Sequence, residues 1–263
     1  MLTFQTFSSS SAGNAALLSW NDVHILVDLG ISCRRAKQEL AARGLAFEDL
    51  AAICVTHEHS DHVSGLRTYV QKQRTPLLCS KGTARQLAYQ FAGIEPMLAP
   101  FDGETACRGI VLRGVALSHD VSQGTGFRFD TPEGSVGILT DTGVVTQEAE
   151  ALLPGVDLLV LEANHDVERL KAGSRPYHIK RRVLGPYGHL SNDAAADFAC
   201  LAADRGTSQI LLAHISADNN DPALALRTVG RALSARSWQG ALSAAPRLEA
   251  GPVLEVRVCS RSS

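Results

Sequence analysis

The stretch Thr56–His62 places three imidazoles and a carboxylate within six consecutive positions. His57, His59 and His62 supply the imidazoles, and Asp61 supplies the carboxylate. Nitrogen and carboxylate donors at this density are typical of a site for zinc, and also for manganese or iron. The alternative is a surface loop that contains histidines by chance, and the presence here of three of the chain's nine histidines argues against it. We interpret the stretch as a metal-binding motif.

Two predicted elements position this motif. Residues 50–55 form a short apolar run with β-branched members, which is typical of a buried strand, and residues 64–73 have a helical pattern. The motif therefore occupies a strand-to-helix turn. Residues two apart at the end of a strand point the same way, so His57 and His59 can converge on one ion. Asp61 and His62 can reach a second ion as the chain turns.

Polar residues repeatedly end the predicted buried strands. These strand-terminal residues are Asp28, His57, His119, Asp141, Glu162 and His214. A single strand-terminal acid is usually part of a turn, but six such residues indicate a site assembled from loops at one edge of packed sheets. Asp28, which precedes Leu29-Gly30, is either a turn or capping residue or a carboxylate that orients a ligand histidine.

Strands and helices alternate through the first half of the chain. Strands are predicted at residues 2–7, 15–20, 24–28, 76–79, 109–117, 127–129, 135–139, 157–162, 209–214 and 253–258, and further helices at 33–43, 81–91 and 191–203. The runs 127–129 and 135–139 are interpreted as a hairpin. Ser191 or Asn192 is predicted to cap the last of these helices.

Length and composition describe an ordinary globular protein. The 263 residues are enough for one large core, so we expect a single domain over residues 1–263. Because the net charge is −2, a nucleic-acid partner would need a local basic patch. The six cysteines lack CxxC spacing, which predicts no disulfides and a reducing, cytoplasmic location. We find no signal-like N-terminus and no apolar run of membrane-spanning length, so no membrane association is expected.

The residues resemble the metallo-β-lactamase-fold hydrolases, whose HxHxDH signature is complete here. The other motifs follow in the expected order: Asp28-Leu29-Gly30, Ser118-His119-Asp120, Asp141 in Thr-Asp-Thr-Gly, and His214 in Ala-His-Ile-Ser. The resemblance covers about residues 2–230. It implies an α/β (α+β) fold, the four-layer αββα sandwich, in which two mixed sheets carry a dinuclear metal site at one edge.

Within this superfamily the sequence is similar to the YycJ (WalJ) group, which is associated with DNA exonuclease activity. The similar segments are the turn Ser9–Asn14 and residues 161–166, 188–192 and 213–220. The second half is also similar to RNase Z, which carries a Glu at the corresponding strand end and a His-x-Ser/Thr pattern opening an Ala-rich helix. The RNase Z substrate-binding arm has no counterpart here, so its tRNA specificity is not implied.

The resemblance also implies roles for the site residues. One ion would be held by His57, His59 and His119, the other by Asp61, His62 and His214, with Asp141 bridging and Asp28 orienting a ligand. Two divalent ions, zinc or manganese, would share a hydroxide that attacks a phosphodiester. Catalytic roles fall to Asp61, Glu162 and His189. Asp120, beside His119, is interpreted as a turn residue and not as a ligand.

The similarity to RNase Z assigns proton donation to His189, positioned by Glu162. A His held by a carboxylate is a suitable general acid for a leaving oxygen, while the alternative for His189 is helix capping. Asn164 and His165 are candidates for contact with a substrate phosphate, or else ordinary loop residues.

A basic segment follows these residues. It contains Arg169, Lys171, Arg175, Lys180, Arg181 and Arg182. Such a run is usually a solvated face, but its place between two catalytic motifs favours contact of Lys180, Arg181 and Arg182 with a phosphate backbone.

We therefore predict a metal-dependent phosphodiesterase that acts on nucleic acid, with DNA favoured over RNA. Three alternatives compete with a DNA exonuclease. They are an RNA-processing nuclease, a small-molecule phosphodiesterase or (thio)ester hydrolase, and a non-catalytic regulatory scaffold. A neutral ester substrate would not need the Glu162–His189 pair or the basic segment, and a scaffold would not need an intact ligand set.

Overall fold

Two seven-stranded sheets form the centre of the protein in a computed structural model that describes residues 1–258. The first sheet has the order β14-β1-β2-β3-β4-β5-β6. Its strands are β1 (Leu2–Ser10), β2 (Gly13–Trp20), β3 (Val23–Val27), β4 (Leu50–Cys54), β5 (Leu77–Cys79), β6 (Leu98–Pro100) and β14 (Leu254–Val256). Strands β1 to β3 are an antiparallel meander, and β3 to β6 run parallel.

The second sheet has the order β13-β12-β11-β10-β9-β8-β7. Its strands are β7 (Glu104–Cys107), β8 (Ile110–Ala116), β9 (Thr125–Thr131), β10 (Gly134–Leu139), β11 (Leu158–Glu162), β12 (Gln209–Ala213) and β13 (Ala241–Ala244). The predicted hairpin is β9–β10, while β10 to β13 are parallel. The carboxyl ends of parallel strands meet at one edge of a sheet, so the residues after β10, β11 and β12 lie together.

The described part of the chain contains nine α-helices. They are α1 (Cys33–Ala41), α2 (Ser60–Val63), α3 (Leu66–Tyr69), α4 (Lys81–Gln90), α5 (Gln147–Leu152), α6 (Val167–Ala172), α7 (Tyr177–Val183), α8 (Asn192–Asp204) and α9 (Pro222–Ala235). Short 3-10 helices lie at Phe47–Asp49 and Glu95–Met97. The predicted cap Ser191 accepts a hydrogen bond from the backbone N–H of Ala194 at the start of α8.

Three clusters of buried side chains separate the four layers. The middle cluster joins the facing sides of the sheets, where Phe4 and Ile25 of the first sheet pack with Phe127 and Val160 of the second. A second cluster lies between the first sheet and α1, α3 and α4, and a third lies between the second sheet and α5, α8 and α9. The predicted αββα sandwich is thus confirmed.

The helix predicted over residues 64–73 is the clearest difference from expectation. Within this range the structure has only the single-turn helix α3, which follows the single-turn helix α2 after a break at Ser64-Gly65. A Cβ on Gly65 would lie 2.4 Å from the carbonyl oxygen of Ile31, and the Gly65 N–H donates to Leu29 O at 2.9 Å. The chain breaks here because it packs against the loop that carries Asp28, a contact between distant segments that helical periodicity does not report.

The structure can be compared with two further expectations, which concern the cysteines and membrane-spanning helices. The five cysteines in residues 1–258 are free thiols, as predicted, and Cys259 lies outside the described residues. Within the same range no helix is both long enough and apolar enough to cross a bilayer.

Candidate metal centre

The histidines and aspartates predicted as ligands converge at the carboxyl edge of the two sheets. In four overlapping groups, the candidate ligand atoms all lie within 4.8 Å of one another. These groups are His57, His59 and His119; Asp61, His62 and His214; His57, His62 and Asp141; and Asp141, Glu162, His189 and His214. The first two groups have the same members as the two predicted sets of three, and Asp141 belongs to the other two groups, the last of which also contains the predicted proton-donor pair. Their roles as ligands stay predictions.

Hydrogen bonds turn one nitrogen of four of these histidines away from the centre. His62 Nδ1 donates to Asp28 Oδ2 at 2.7 Å, and His57 Nδ1 lies 3.0 Å from the hydroxyl of Thr56. His119 Nδ1 lies 3.1 Å from two backbone carbonyl oxygens, and His214 Nδ1 donates to Glu162 at 2.9 Å. Fixing Nδ1 in this way presents Nε2 to a metal and increases its basicity.

Buried polar atoms without a hydrogen-bond partner test whether a metal fits this centre. His57 Nε2, His214 Nε2 and Asp141 Oδ2 are buried and unpaired among the described residues. An unpaired buried polar atom costs stability unless something binds it, and all three atoms belong to the ligand groups. Imidazole nitrogen and carboxylate oxygen are suitable donors for zinc or manganese, so the residues present fit a divalent metal.

The electrostatics of the centre lead to the same conclusion. Burial, followed by the effect of the neighbouring His62, keeps the pKa of His57 well below its ordinary value, so His57 stays in the neutral form that binds metals. Burial would also lower the pKa of His214, but Asp141 raises it to about 10. Burial would raise the pKa of Asp141, but His214 and His62 hold it well below its usual range. The ionised carboxylates therefore attract positive charge, which a divalent cation supplies.

Asp28 lies 4% exposed after β3 and has the orienting contacts that the sequence suggested. Its carboxylate accepts hydrogen bonds from His62 Nδ1 and from both the N–H and the hydroxyl of Thr56. Thr56 was not singled out in the sequence, yet its hydroxyl lies 3.0 Å from His57 Nδ1 and 3.1 Å from His62 Nδ1. A β-branched residue at the end of a strand gives no signal of this role, because β-branched residues are common in strands.

We expect Thr56→Val to weaken metal binding about 10- to 100-fold, the usual effect of removing a group that orients a ligand. The substitution keeps the shape of the side chain but removes the hydroxyl shared by Asp28, His57 and His62. Titration of the metal-free protein with Zn²⁺, followed by calorimetry, measures the effect. Thr228→Val is the matched control, because the Thr228 hydroxyl bonds only to its own helix at Leu224 O. Equal affinities for the two variants would contradict this role.

Glu162 joins the metal centre to the predicted proton donor. Its side chain is fully buried, and Oε1 accepts hydrogen bonds from His189 Nδ1 at 2.8 Å and from His214 Nδ1 at 2.9 Å. Oε2 accepts from the N–H groups of Thr142 and Leu190. His189 remains partly exposed, so its other nitrogen can reach a substrate. Burial would lower the pKa of His189, but the charge of Glu162 raises it.

Three strand-terminal residues have a left-handed backbone. Asp28 has φ 59°, Asp141 has φ 60°, and His214 has φ 52°. Asp and His adopt this conformation more often than most residues other than glycine, although it still costs energy. Ser9 supports the third of these residues, since its hydroxyl accepts a hydrogen bond from the His214 N–H at 2.8 Å. Neither the backbone conformation nor the contact with Ser9 was evident in the sequence.

Asn164 and His165 are buried. Their contact with a substrate phosphate stays a prediction. Asn164 Nδ2 donates to His214 O at 2.9 Å, which supports the backbone of that ligand. Asn14, noted in the sequence only as part of a turn, places its Nδ2 3.0 Å from His62 Nε2 and 3.4 Å from Asp61 Oδ2.

The basic segment forms many contacts with acidic residues. Arg169 pairs with Asp221, Lys171 with Glu168, Arg175 with Asp218, and Arg182 with Asp120. Lys180 Nζ donates to the backbone oxygen of Lys171. The Arg181 side chain is the one in the segment for which residues 1–258 provide no ionic or hydrogen-bond partner.

Comparison with known proteins identifies relatives that are hydrolases and share the fold. Residues 24–215 match the profile of the Beta-lactamase superfamily domain. The chain is 31% identical to exodeoxyribonuclease YycJ of Bacillus anthracis over 90% of this chain and 91% of that protein. It is 33% identical to exodeoxyribonuclease WalJ of Streptococcus pneumoniae over 86% of each. The crystal structure of the metallo-β-lactamase fold protein YhfI from Bacillus subtilis superposes with a TM-score of 0.74 at 15% identity, covering 97% of this chain and all of that one.

Proposed function

Because the chain belongs to the β-lactamase superfamily, as a metal-dependent hydrolase with the metallo-β-lactamase fold, we propose that it is a phosphodiesterase and specifically a DNA exonuclease. The observation that carries the proposal is the 2.8 Å hydrogen bond from His189 to Glu162 beside the metal centre. A phosphodiester has an oxygen leaving group that needs a proton, and this pair is built to donate one.

The proposed cofactor is a pair of divalent ions, zinc or manganese. One ion would be held by His57, His59 and His119, the second by Asp61, His62 and His214, and Asp141 would contact both. Such a pair lowers the pKa of a bound water and neutralises the charge that develops on a phosphodiester under attack.

The protein's own residues supply orientation and the proton. Glu162 holds Nδ1 of His189, which leaves Nε2 to face the leaving oxygen at the mouth of the site. The same carboxylate oxygen fixes His214, so one buried group sets the distance between the proton donor and the metal centre. The full burial of Glu162 and its bonds to four donors support this coupling, because they fix the carboxylate in place.

Two observations support a nucleic acid as the substrate, and the first of them supports DNA. The two relatives are named exodeoxyribonucleases. In addition, Arg181 lies unpaired in the segment that precedes His189 and is available to a phosphate. Contacts of this kind release counterions, so binding should weaken as the salt concentration rises.

The test presents metal-reconstituted protein with end-labelled single- and double-stranded DNA, RNA and a chromogenic phosphodiester. We expect mononucleotides to be released from a DNA end, at a rate that falls between 50 and 200 mM salt, roughly the range in which phosphate contacts weaken. His59→Ala is the control for metal dependence. Faster cleavage of RNA would instead favour an RNA-processing nuclease, and turnover of the chromogenic substrate alone would favour a small-molecule phosphodiesterase.

A further inference from the structure

A groove of about 520 Å³ opens beside the metal centre. Its lining includes Asp120, Tyr177, Arg181 and Tyr187, and we call it the tyrosine groove. None of these positions except Arg181 figured among the predicted substrate contacts.

The tyrosine groove is joined to the metal centre by direct contacts. The carbonyl oxygen of Tyr187 lies 3.1 Å from His119 Nδ1. Asp120 Oδ1 lies 3.5 Å from His119 Nε2 and 3.8 Å from His59 Nε2. If one phosphate of a polymer lies at the metal centre, the adjacent units of that polymer would therefore extend into this groove.

The wall that carries Tyr187 is fixed in place. The Ser118 hydroxyl donates to Pro186 O at 2.8 Å, and a Cβ on Gly143 would lie only 2.3 Å from that oxygen. The chain around Pro186 is thus packed closely against the turn that follows Asp141. A rigid wall can hold a ligand without a large cost in conformational entropy.

The exposure of the two tyrosines has no explanation in the packing of the fold. Tyr177 is 78% exposed and Tyr187 is 62% exposed, and α7, which begins at Tyr177, contributes no buried residue. Among the described residues three tyrosines are exposed, and two of them line this one groove. Exposed aromatic side chains gathered beside a catalytic centre indicate a binding surface.

The charges of the tyrosine groove suit a nucleic acid strand. Asp120 is neutralised by Arg182, with Nη2 to Oδ2 at 2.6 Å, and it therefore does not repel a phosphate strongly. Arg181 adds a cation without a partner in residues 1–258. Aromatic rings next to a free cation form the combination that single-strand binding proteins use, because the rings stack on bases while the cation contacts the backbone.

We propose that the tyrosine groove binds unpaired nucleobases of single-stranded DNA next to the phosphate at the metal centre. The inference rests on the proposed nuclease function and specifies its substrate. Bases in a duplex already stack on each other, so only an unpaired base can offer its face to Tyr177 or Tyr187. The protein therefore acts on single-stranded ends in preference to blunt duplex ends.

The test measures fluorescence anisotropy of a dye-labelled single-stranded DNA bound to the His189→Ala protein, in which hydrolysis does not interfere. Adding Tyr177→Ala or Tyr187→Ala to this protein should weaken binding about tenfold for each ring, the effect of losing one stacked base. Tyr177→Phe and Tyr187→Phe keep the ring and should bind as the parent does. A strand with abasic positions should bind weakly to the parent and show no further loss with the alanine variants.

The proposal is overturned if the alanine variants bind normal single strands as tightly as the parent, or if the phenylalanine variants bind as weakly as the alanine variants. It is also overturned if the alanine substitutions weaken binding of a blunt duplex as much as they weaken binding of a single strand. Arg236→Ala is a control for changes elsewhere on the surface, since Arg236 pairs with Asp204 far from the groove, near the start of β12. Cleavage by the unaltered protein is measured separately. DNA that is cleaved normally by both alanine variants refutes the groove alone, whereas DNA that the unaltered protein never cleaves refutes the nuclease function.

Discussion

Replacing His189 by alanine should reduce turnover by about 10²- to 10⁴-fold, the usual contribution of a general acid. Metal content should stay unchanged, because His189 belongs to neither predicted ligand set of three. The reason for the loss is that Glu162 holds the His189 ring beside the metal centre, and no other partly exposed histidine bonds to that carboxylate within residues 1–258. Steady-state kinetics on end-labelled DNA, together with elemental analysis of bound metal, measure both quantities.

His24→Ala is the matched control for this prediction. His24 is a partly buried histidine that bonds to Ser19 on the first sheet, near the start of β3 and therefore at the opposite end from Asp28. The His24→Ala protein should turn over substrate within about twofold of the rate of the unaltered protein, as expected for a residue distant from the metal centre. A second diagnostic is the leaving group, because a substrate that releases p-nitrophenolate needs little protonation and should be much less affected by His189→Ala. Equal losses on both substrates would contradict the proton-donor role.

Asp141→Asn should remove at least one equivalent of metal and abolish turnover. The change keeps the size of the side chain but removes the charge that faces His62 Nε2 at 3.3 Å and His214 Nδ1 at 3.4 Å. Because Asp141 is a predicted ligand and not merely a residue that orients one, the loss of metal affinity should exceed about 100-fold. Elemental analysis after dialysis measures the content, and thermal unfolding with and without Zn²⁺ measures the coupling of metal to stability.

Asp130→Asn provides the comparison for this second prediction. Asp130 lies in the same sheet at the far end of β9, where it pairs with Arg113 and Arg128. Its amide variant should lose some stability but no metal. If Asp141→Asn retains its metal and its turnover, the bridging role is wrong and the ligand assignment must be revised. Chelation of the unaltered protein should reproduce the loss, and added Zn²⁺ or Mn²⁺ should reverse it in that protein alone.

The sequence was sufficient to predict that the strand ends lie close together, for a simple physical reason. Buried polar residues that end apolar strands need polar partners, and the parallel order of β10, β11 and β12 brings Asp141, Glu162 and His214 together at one edge. The density of donors between His57 and His62 then identified the chemistry. Both steps use only local sequence together with the direction of strands.

The supporting contacts could not be predicted in the same way. The partners of His119 are the backbone carbonyls of Tyr187 and Gly188. Because every residue has a backbone carbonyl, the sequence does not indicate which of them will bond to a histidine. The roles of Thr56 and Ser9 depend on which distant loops meet. The tyrosine groove was missed because an aromatic residue in a sequence normally indicates core, and only the structure shows that α7 buries nothing.

The left-handed backbone at Asp28, Asp141 and His214 also bears on attempts to engineer this protein. Glycine would relieve the conformational cost at each of these positions, by about 1 kcal/mol or more. The same change would remove a side chain that has buried partners, such as the Asp28 carboxylate that accepts hydrogen bonds from His62 and Thr56, and leaving those partners unsatisfied costs stability. The backbone and the side chain therefore make opposite demands at these three positions, and a screen for heat resistance should measure metal content and turnover in every round.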